Sequence, residues 1–177
     1  MVDWDAIVTR EGPAVWRTVY RLLGNRADAE DCFQETFLSA FALSRRESFK
    51  HPAALLHRLA TTRALDRLRS RYRNRRHENA DSQFHEPVAE APGPPQLAES
   101  SELSDRLRMA LARLPEKQSQ TFCLFHLDGW DYAQIAGHLG ASVNGVGVLL
   151  HRARHRLREL LADVRLPEPS KRRHPYE

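Results

Sequence analysis

Apolar side chains recur every three or four positions along most of the chain, which is the spacing that places them on one face of an α-helix. The N-terminal part shows this pattern in three segments. The first starts at Pro13 and ends at the Gly-Asn pair at 24–25, which predicts a helix stop. Asp28 is the predicted cap of the second helix, and Pro52 suits the first turn of a long third helix. This part of the chain is therefore expected to be an all-helical module.

The C-terminal part repeats the helical spacing in four further segments. The first is predicted to end near Pro115. Asp131 and Gln134 have the spacing of a capping box ahead of the third. Gly140 fits a left-handed helix end, and Ser142 is the predicted cap of the fourth helix. A short helix, a turn of about three residues and a longer basic helix make the helix-turn-helix pattern.

Residues 78–101 interrupt the helical pattern. They hold four prolines and scattered acids, a composition that is typical of a flexible linker. The predicted fold class is all-α, with two small helical domains at 1–77 and 102–162 joined by this linker. A basic tail follows at 163–177.

Charge is distributed unevenly along the chain, although the formal net charge is only +4. The segment from Leu55 to His77 contains eight arginines and a single acid, Asp66. A concentrated basic segment is the usual electrostatic signature of a polyanion partner, most often nucleic acid. The alternative is a solvated helix face, but the density of arginine favours nucleic acid.

The two cysteines, Cys32 and Cys123, lie within apolar helical patterns. They are expected to be buried free thiols in a reducing cytoplasm. The first ten residues are acidic and lack an apolar signal core. No apolar run approaches the roughly 20 residues of a membrane span, so no membrane insertion is expected.

Two pairs of residues have spacings found among metal ligands, Cys123 with His126 and His151 with His155. The apolar neighbours of Cys123 favour a core position, and the histidines are explained as solvated or DNA-facing. The chain also has no glycine-flanked nucleophile and no phosphate-cradling glycine loop. We therefore expect no metal, no cofactor and no enzymatic activity.

Two segments together resemble a known family. "DAEDCFQETFLSAF" at 28–41, followed by "LHRLATTRALDRLRSRYRNRR" at 56–76, is similar to the second conserved region of bacterial sigma factors. The segment at 111–160, from "LARLPEKQ" to "HRLREL", resembles their fourth region. The order of the two regions and the absence of a middle domain resemble the extracytoplasmic-function (ECF) branch.

The resemblance implies a promoter-specificity subunit that binds core RNA polymerase, recognises the −10 and −35 promoter elements and helps to open the duplex. An anti-sigma factor commonly holds members of this family inactive. The resemblance also implies an all-helical, two-domain protein that is not an enzyme. The competing hypotheses are a stand-alone helix-turn-helix regulator and a sigma-like protein whose last helix contacts a protein partner.

Site residues follow from the resemblance together with side-chain chemistry. The residues expected to bind DNA on the −10 side are Phe49, Lys50, Arg58, Thr62, Arg63, Arg67, Arg69, Arg71 and Arg73. Those expected on the −35 side are Ser142, Asn144, Val148, His151, Arg152 and Arg154. The residues expected to contact polymerase are Asp31, Gln34 and Glu35. The arginines can meet backbone phosphates, which gives affinity that falls steeply with salt. Phe49 could instead pack into the core, and the acidic face could be simply solvated.

The sequence departs from the family pattern where bases are read. The family usually has threonine, lysine, serine and arginine at the positions of Gly145, Gly147, Val148 and Leu149. Leu55 and Thr62 replace a usual tryptophan and a usual asparagine. Because glycine offers no side chain to a base edge, −35 readout is predicted to be weak. Shape or another protein would then supply the missing specificity.

Overall fold

The structure is a computed structural model that describes residues 3–46, 52–81 and 95–162, with side chains placed for 3–46, 52–75 and 102–162. Within these ranges the chain is helical and contains no strand, which confirms the predicted all-α fold class. The helices are α1 (Trp4–Leu23), α2 (Arg26–Ser44), α3 (Pro52–Asp81), α4 (Pro95–Arg113), α5 (Glu116–His126), α6 (Tyr132–Leu139) and α7 (Val143–Leu160).

Helix α1 is longer than its sequence pattern predicted. It begins at Trp4, where the Asp3 carboxylate accepts a hydrogen bond from the Ala6 amide at 3.0 Å. The predicted start at Pro13 is wrong, because this proline lies inside the helix. Proline removes one helical hydrogen bond, but the Asp3 cap and the burial of Ile7 hold the upstream turns in place.

The cap of α2 is Asn25 and not the predicted Asp28. The Asn25 side-chain oxygen accepts from the Asp28 amide at 2.8 Å, and Asn25 Nδ2 donates to the Asp28 carboxylate at 2.9 Å. The cap therefore lies three residues earlier than predicted, and Asp28 serves as its partner in the first turn. Helix α3 begins at Pro52 as predicted.

Both ends of the predicted linker are helical. Helix α3 runs to Asp81 and α4 begins at Pro95, whereas the linker was predicted to span 78–101. Proline is well tolerated in a first helical turn, and alanine, glutamate and glutamine are good helix formers. Residues 82–94 and the predicted tail at 163–177 lie outside the described residues.

Helices α5 to α7 form the helix-turn-helix part of the C-terminal module. The predicted capping box joins Asp131 and Gln134, and Gly140 ends α6 with a φ of 58°. The Ser142 hydroxyl caps α7 by accepting from the Gly145 amide at 3.0 Å. A small separate core lies beneath, formed by Leu124, Ile135, Ala136, Val146 and Leu150.

The two modules also share one larger hydrophobic core, which the sequence did not predict. The cluster that forms the centre of the α1–α3 bundle also includes Leu111 of α4, Leu114 directly after α4, Cys123 of α5 and Leu157 of α7. Both cysteines are buried and free, as expected. Burial raises the pKa of the Cys32 thiol to about 11 and raises that of Cys123 as well.

Candidate nucleic-acid interface

One exposed stripe runs along α7. Asn144, Val148, His151 and His155 recur at three- and four-residue spacing and are all exposed, because Val146, Leu150, Ala153 and Leu157 bury the opposite face. The stripe contains three of the predicted −35 residues. His155 was not predicted, although its spacing from His151 places it on the same face.

A groove of about 650 Å³ lies beside this stripe, between α7 and the junction of α4 with α5. Its lining is predominantly cationic or imidazole-bearing: Arg113, Pro115, Gln118, His151, Arg152, His155, Arg156 and Glu159. Glu159 pairs with Arg156 at 3.2 Å and with His155 at 3.5 Å. Arg113 and Arg152 add positive charge, so the groove is suited to a phosphate backbone.

Two other predicted −35 residues are used within the fold. The Ser142 hydroxyl caps α7, which occupies one of its lone pairs. Arg154 lies 5.7 Å from the ring centre of Phe125, and its Nη2 is 3.4 Å from His126 Nε2. Arg154 is therefore packed against α5 and does not lie on the exposed stripe.

Packing does not require glycine at position 147. A Cβ there would meet Tyr132 at 3.7 Å, an ordinary van der Waals distance. We expect Gly147→Ala to raise the free energy of unfolding by about 1 kcal/mol, because alanine loses less backbone entropy in a helix. Urea unfolding followed by circular dichroism measures this change. A loss of stability would show that the glycine has a packing role. Position 145 has less room for a side chain, because an added Cβ would lie only 3.2 Å from Ser142 Oγ.

Two histidines of the C-terminal module, the exposed His126 and the half-buried His138, have a lowered pKa, which favours the neutral imidazole. Burial lowers the pKa of His126, with a further contribution from Arg154. Burial also lowers the pKa of His138, with a further contribution from Arg58 of α3. The unfolded chain therefore binds more protons than the folded chain as the pH falls through 6.5, the ordinary histidine value. The contribution of these two histidines to the free energy of unfolding is therefore fully present above that pH and is lost as the pH falls through their folded-state pKa.

We accordingly expect the urea concentration at the unfolding midpoint to decrease as the pH is lowered from about 7.5 to about 5.5. Ordinary carboxylates stay ionised throughout this range. A His126→Gln/His138→Gln double variant should flatten this dependence. His151→Gln, at an exposed position, is the matched control. Equal pH dependence in the double variant and the original chain would refute the assignment.

The arginines of α3 were expected to meet backbone phosphates, but four of them contact the protein itself. Arg58 and Arg73 are exposed, whereas Arg63, Arg67, Arg69 and Arg71 are half-buried. Arg63 donates to Ser39 at 2.7 Å, and Arg67 donates to Glu35 at 2.7 Å. Arg71 donates to the Leu23 carbonyl at 3.0 Å. These guanidinium groups hold α3 against α1 and α2. Phe49 and Lys50, the predicted base-capturing residues, lie outside the described residues.

The exposed face of α2 carries all three predicted polymerase residues and an exposed apolar residue, Leu38, that was not predicted. Asp31, Gln34 and Glu35 are exposed, and Leu38 follows them on the same face with 67% exposure. Glu35 is paired with Arg67, so its charge is partly compensated. The sequence signal for Leu38 is its spacing, since it lies three residues after Glu35 and four residues after Gln34, which places it on the same helix face.

Neither a membrane span nor a metal site is found in the described part of the chain. No helix there is both long and apolar enough to cross a membrane. No group of three or more metal-ligating side chains comes together there. Cys123 of the ligand-like Cys-x-x-His spacing is buried in the shared core.

Comparison with known proteins gives two family matches in the predicted order. Sigma-70 region 2 matches residues 7–74, and Sigma-70 region 4 matches residues 104–157. The first region covers α1, α2 and most of α3, and the second covers the helix-turn-helix part. The stand-alone regulator receives no support, because the N-terminal match is to a sigma region.

Individual relatives agree with these matches. The chain is 32% identical to the ECF RNA polymerase sigma factor EcfG of Rhodopseudomonas palustris, over 84% of this chain and 80% of that protein. It is 35% identical to the ECF RNA polymerase sigma factor SigE of Mycolicibacterium smegmatis, over 92% of this chain but only 63% of that protein. The solved sigma factor RpoE of Bartonella quintana, in complex with the anti-sigma factor NepR, gives a TM-score of 0.55 at 26% identity. That alignment covers 92% of this chain and 99% of the RpoE chain.

The two helical modules and their matches define a sigma-70-type transcription initiation factor. Within that class, the chain belongs to the ECF RNA polymerase sigma factors. This family is not a class of enzymes.

Proposed function

We propose that this chain binds core RNA polymerase and directs promoter-specific transcription initiation from the cytoplasm, without enzymatic activity of its own. The observation that carries the proposal is the paired match to regions 2 and 4 over most of the chain. The domain roles follow: residues 1–77 bind polymerase and the −10 element, and residues 102–162 bind the −35 element. The RpoE structure was solved with an anti-sigma factor, which supports a partner of that kind here.

Polymerase binding is assigned to the exposed face of α2. Asp31 and Gln34 offer a carboxylate and an amide, and Leu38 offers an apolar side chain beside them. A mixed surface with one strongly exposed apolar side chain resembles the centre of a protein interface more than a solvated face.

DNA binding is assigned to two surfaces with different chemistry. On α7, Asn144 is placed to read a base edge, Val148 to contact a thymine methyl group, and His151 and Arg152 to meet phosphates. On α3, Arg58 and Arg73 are the exposed arginines of the predicted set, and Thr62 lies between them on the same helix. With Gly145 and Gly147 in the reading positions, −35 specificity is weak and phosphate contacts supply most of the affinity.

Pull-down with core polymerase of the host bacterium, followed by run-off transcription from host promoter fragments, tests the proposal. The chain should retain core polymerase and produce discrete transcripts. Scrambling the −35 element should reduce transcription less than scrambling the −10 element. Absence of polymerase binding would overturn the proposed function. A dominant −35 effect would overturn only the weak-readout part.

A further inference from the structure

A histidine at the end of α5 holds one of the arginines of α7. His126 is the last residue of α5, and its Nε2 lies 3.4 Å from Arg154 Nη2. A guanidinium group has donors and no acceptor. His126 Nε2 is therefore the acceptor of this hydrogen bond and carries no proton, so the contact exists only with the neutral imidazole.

Aromatic rings surround the contact between these two side chains. The centre of the His126 ring lies 4.5 Å from that of Phe122 and 4.9 Å from that of Phe125. The guanidinium carbon of Arg154 lies 5.7 Å from the centre of the Phe125 ring. Arg154 is thus held against α5 by one long hydrogen bond and one cation–π contact, both of which are weak at an exposed site. Loss of the hydrogen bond leaves little to keep the arginine in place.

Arg154 is also the charged group that faces His126. Burial lowers the pKa of His126, and the positive charge of Arg154 lowers it further. Two other helices, α3 and α6, pack against α5, but within the described residues they bring no charged group that shifts this pKa. Protonation of His126 therefore removes the acceptor and places a second positive charge beside the guanidinium group.

Arg154 lies at the edge of the exposed stripe on α7. It follows His151 by three residues, and residues at this spacing are neighbours on a helix surface. His151 is exposed, whereas Arg154 is half-buried because it lies against Phe125. An arginine released from that position can reach the phosphates beside a helix that is bound in a DNA groove.

We propose that His126 is a positioning residue for DNA binding by α7. Neutral His126 holds Arg154 against α5, and protonated His126 releases it to make one further contact with the phosphate backbone of duplex DNA. Acidification thereby strengthens DNA binding without changing which bases are read, since phosphate contacts carry no sequence information. The proposal rests on the DNA role given to α7 above.

The direction and size of the effect follow from the protonation of His126. Because the pKa of His126 is lowered from 6.5, Arg154 stays held at neutral pH and is released only as the pH falls below that value. One further phosphate contact makes the slope of log affinity against log salt concentration steeper by about 0.9. At a salt concentration of about 0.15 M, this corresponds to about fivefold tighter binding.

The test measures binding of the full chain to a fluorescein-labelled, mixed-sequence DNA duplex over a range of salt concentrations, at pH about 7.5 and about 6. His126→Ala removes the acceptor, whereas His126→Gln keeps an uncharged one. Arg154→Gln removes the cation. Arg158→Gln is the matched control, because Arg158 is an exposed arginine one turn further along α7. Circular dichroism confirms that every variant is folded at both pH values.

We expect His126→Ala to bind the duplex about fivefold more tightly than the original chain at the higher pH, with a salt slope steeper by about 0.9. Adding Arg154→Gln should abolish this gain, and adding Arg158→Gln should preserve it. His126→Gln should match the original chain at the higher pH and gain less affinity on acidification. Exposed His151 and His155 take up protons in all of these variants, so the comparison between them removes that contribution.

Equal salt slopes for His126→Ala and the original chain would overturn the positioning role of His126. A gain that survives Arg154→Gln would overturn it as well, because the gain would then come from another group. Arg152→Gln, which removes a proposed phosphate contact of α7, reports the DNA role of this helix separately and should weaken binding. If Arg152→Gln has no effect, or if no variant binds the duplex even at low salt, the DNA role of α7 fails and the proposal fails with it.

Discussion

A Leu38→Arg variant is expected to lose about 100-fold in affinity for core RNA polymerase while folding normally, as expected when an apolar interface anchor is replaced by a charge. Leu38 is 67% exposed on α2, so the fold gains little from it, and arginine is as good a helix former as leucine. The new cation would be introduced next to Asp31, Gln34 and Glu35, in a surface that is otherwise acidic and apolar. Polymerase binding would then either bury the charge of the new arginine, which costs free energy, or be opposed by electrostatic repulsion at the interface.

The affinity is measured with labelled protein titrated against core polymerase, and circular dichroism checks the fold. Met109→Arg is the matched control. Met109 is also an exposed apolar residue in the middle of a helix, but it lies on α4. Run-off transcription by Leu38→Arg should recover when core polymerase is raised well above the new dissociation constant. An unchanged dissociation constant would place the polymerase surface elsewhere on the molecule.

The elements that could be predicted from the sequence are those fixed by contacts between near neighbours in the chain. The capping box of Asp131 and Gln134, the left-handed Gly140 and the Ser142 cap each depend on atoms within three or four residues. The fold class followed from apolar spacing for the same reason. Where two local solutions compete, the prediction was wrong: Asn25 and Asp28 can both cap α2, and the structure uses the earlier one.

The arrangement of the arginines on α3 could not be predicted in the same way. A run of arginines specifies a positive segment, but the partners of Arg63, Arg67 and Arg71 come from distant positions on α1 and α2. Only the packing of three helices brings Ser39, Glu35 and the Leu23 carbonyl within reach. The sequence therefore indicated the charge of this helix, and the structure shows which arginines are exposed.

The contact between the modules, in which Thr18 and Thr61 donate to the Asp128 carboxylate, was hidden for a further reason. Asp128 reads as an ordinary turn residue before a glycine, and Thr18 and Thr61 read as polar residues within amphipathic helices. Their burial follows from the meeting of segments more than 60 positions apart. A composition that predicts a flexible linker also gives no indication that the joined modules share a core.

The seating of α7 depends on a small core, and this makes Leu150 a sensitive position. We expect Leu150→Ala to lower the free energy of unfolding of the C-terminal module by about 3 kcal/mol, the typical cost of a cavity at a fully buried leucine. Leu150 has no solvent exposure, and only five buried residues form its cluster. A core of this size has little reserve stability.

The effect should be local, because α1 to α3 have their own buried residues in the larger cluster. Amide hydrogen exchange should show loss of protection in α6 and α7 and retention in α1 to α3. Val148→Ala, two residues away at a 48% exposed position, is the control for stability and should change it little. Equal loss of protection throughout the chain would mean that the shared core makes the two modules unfold as one unit. With the local outcome, α7 loses its rigid support while the α2 surface stays intact, so transcription by Leu150→Ala should fall further than binding to core polymerase.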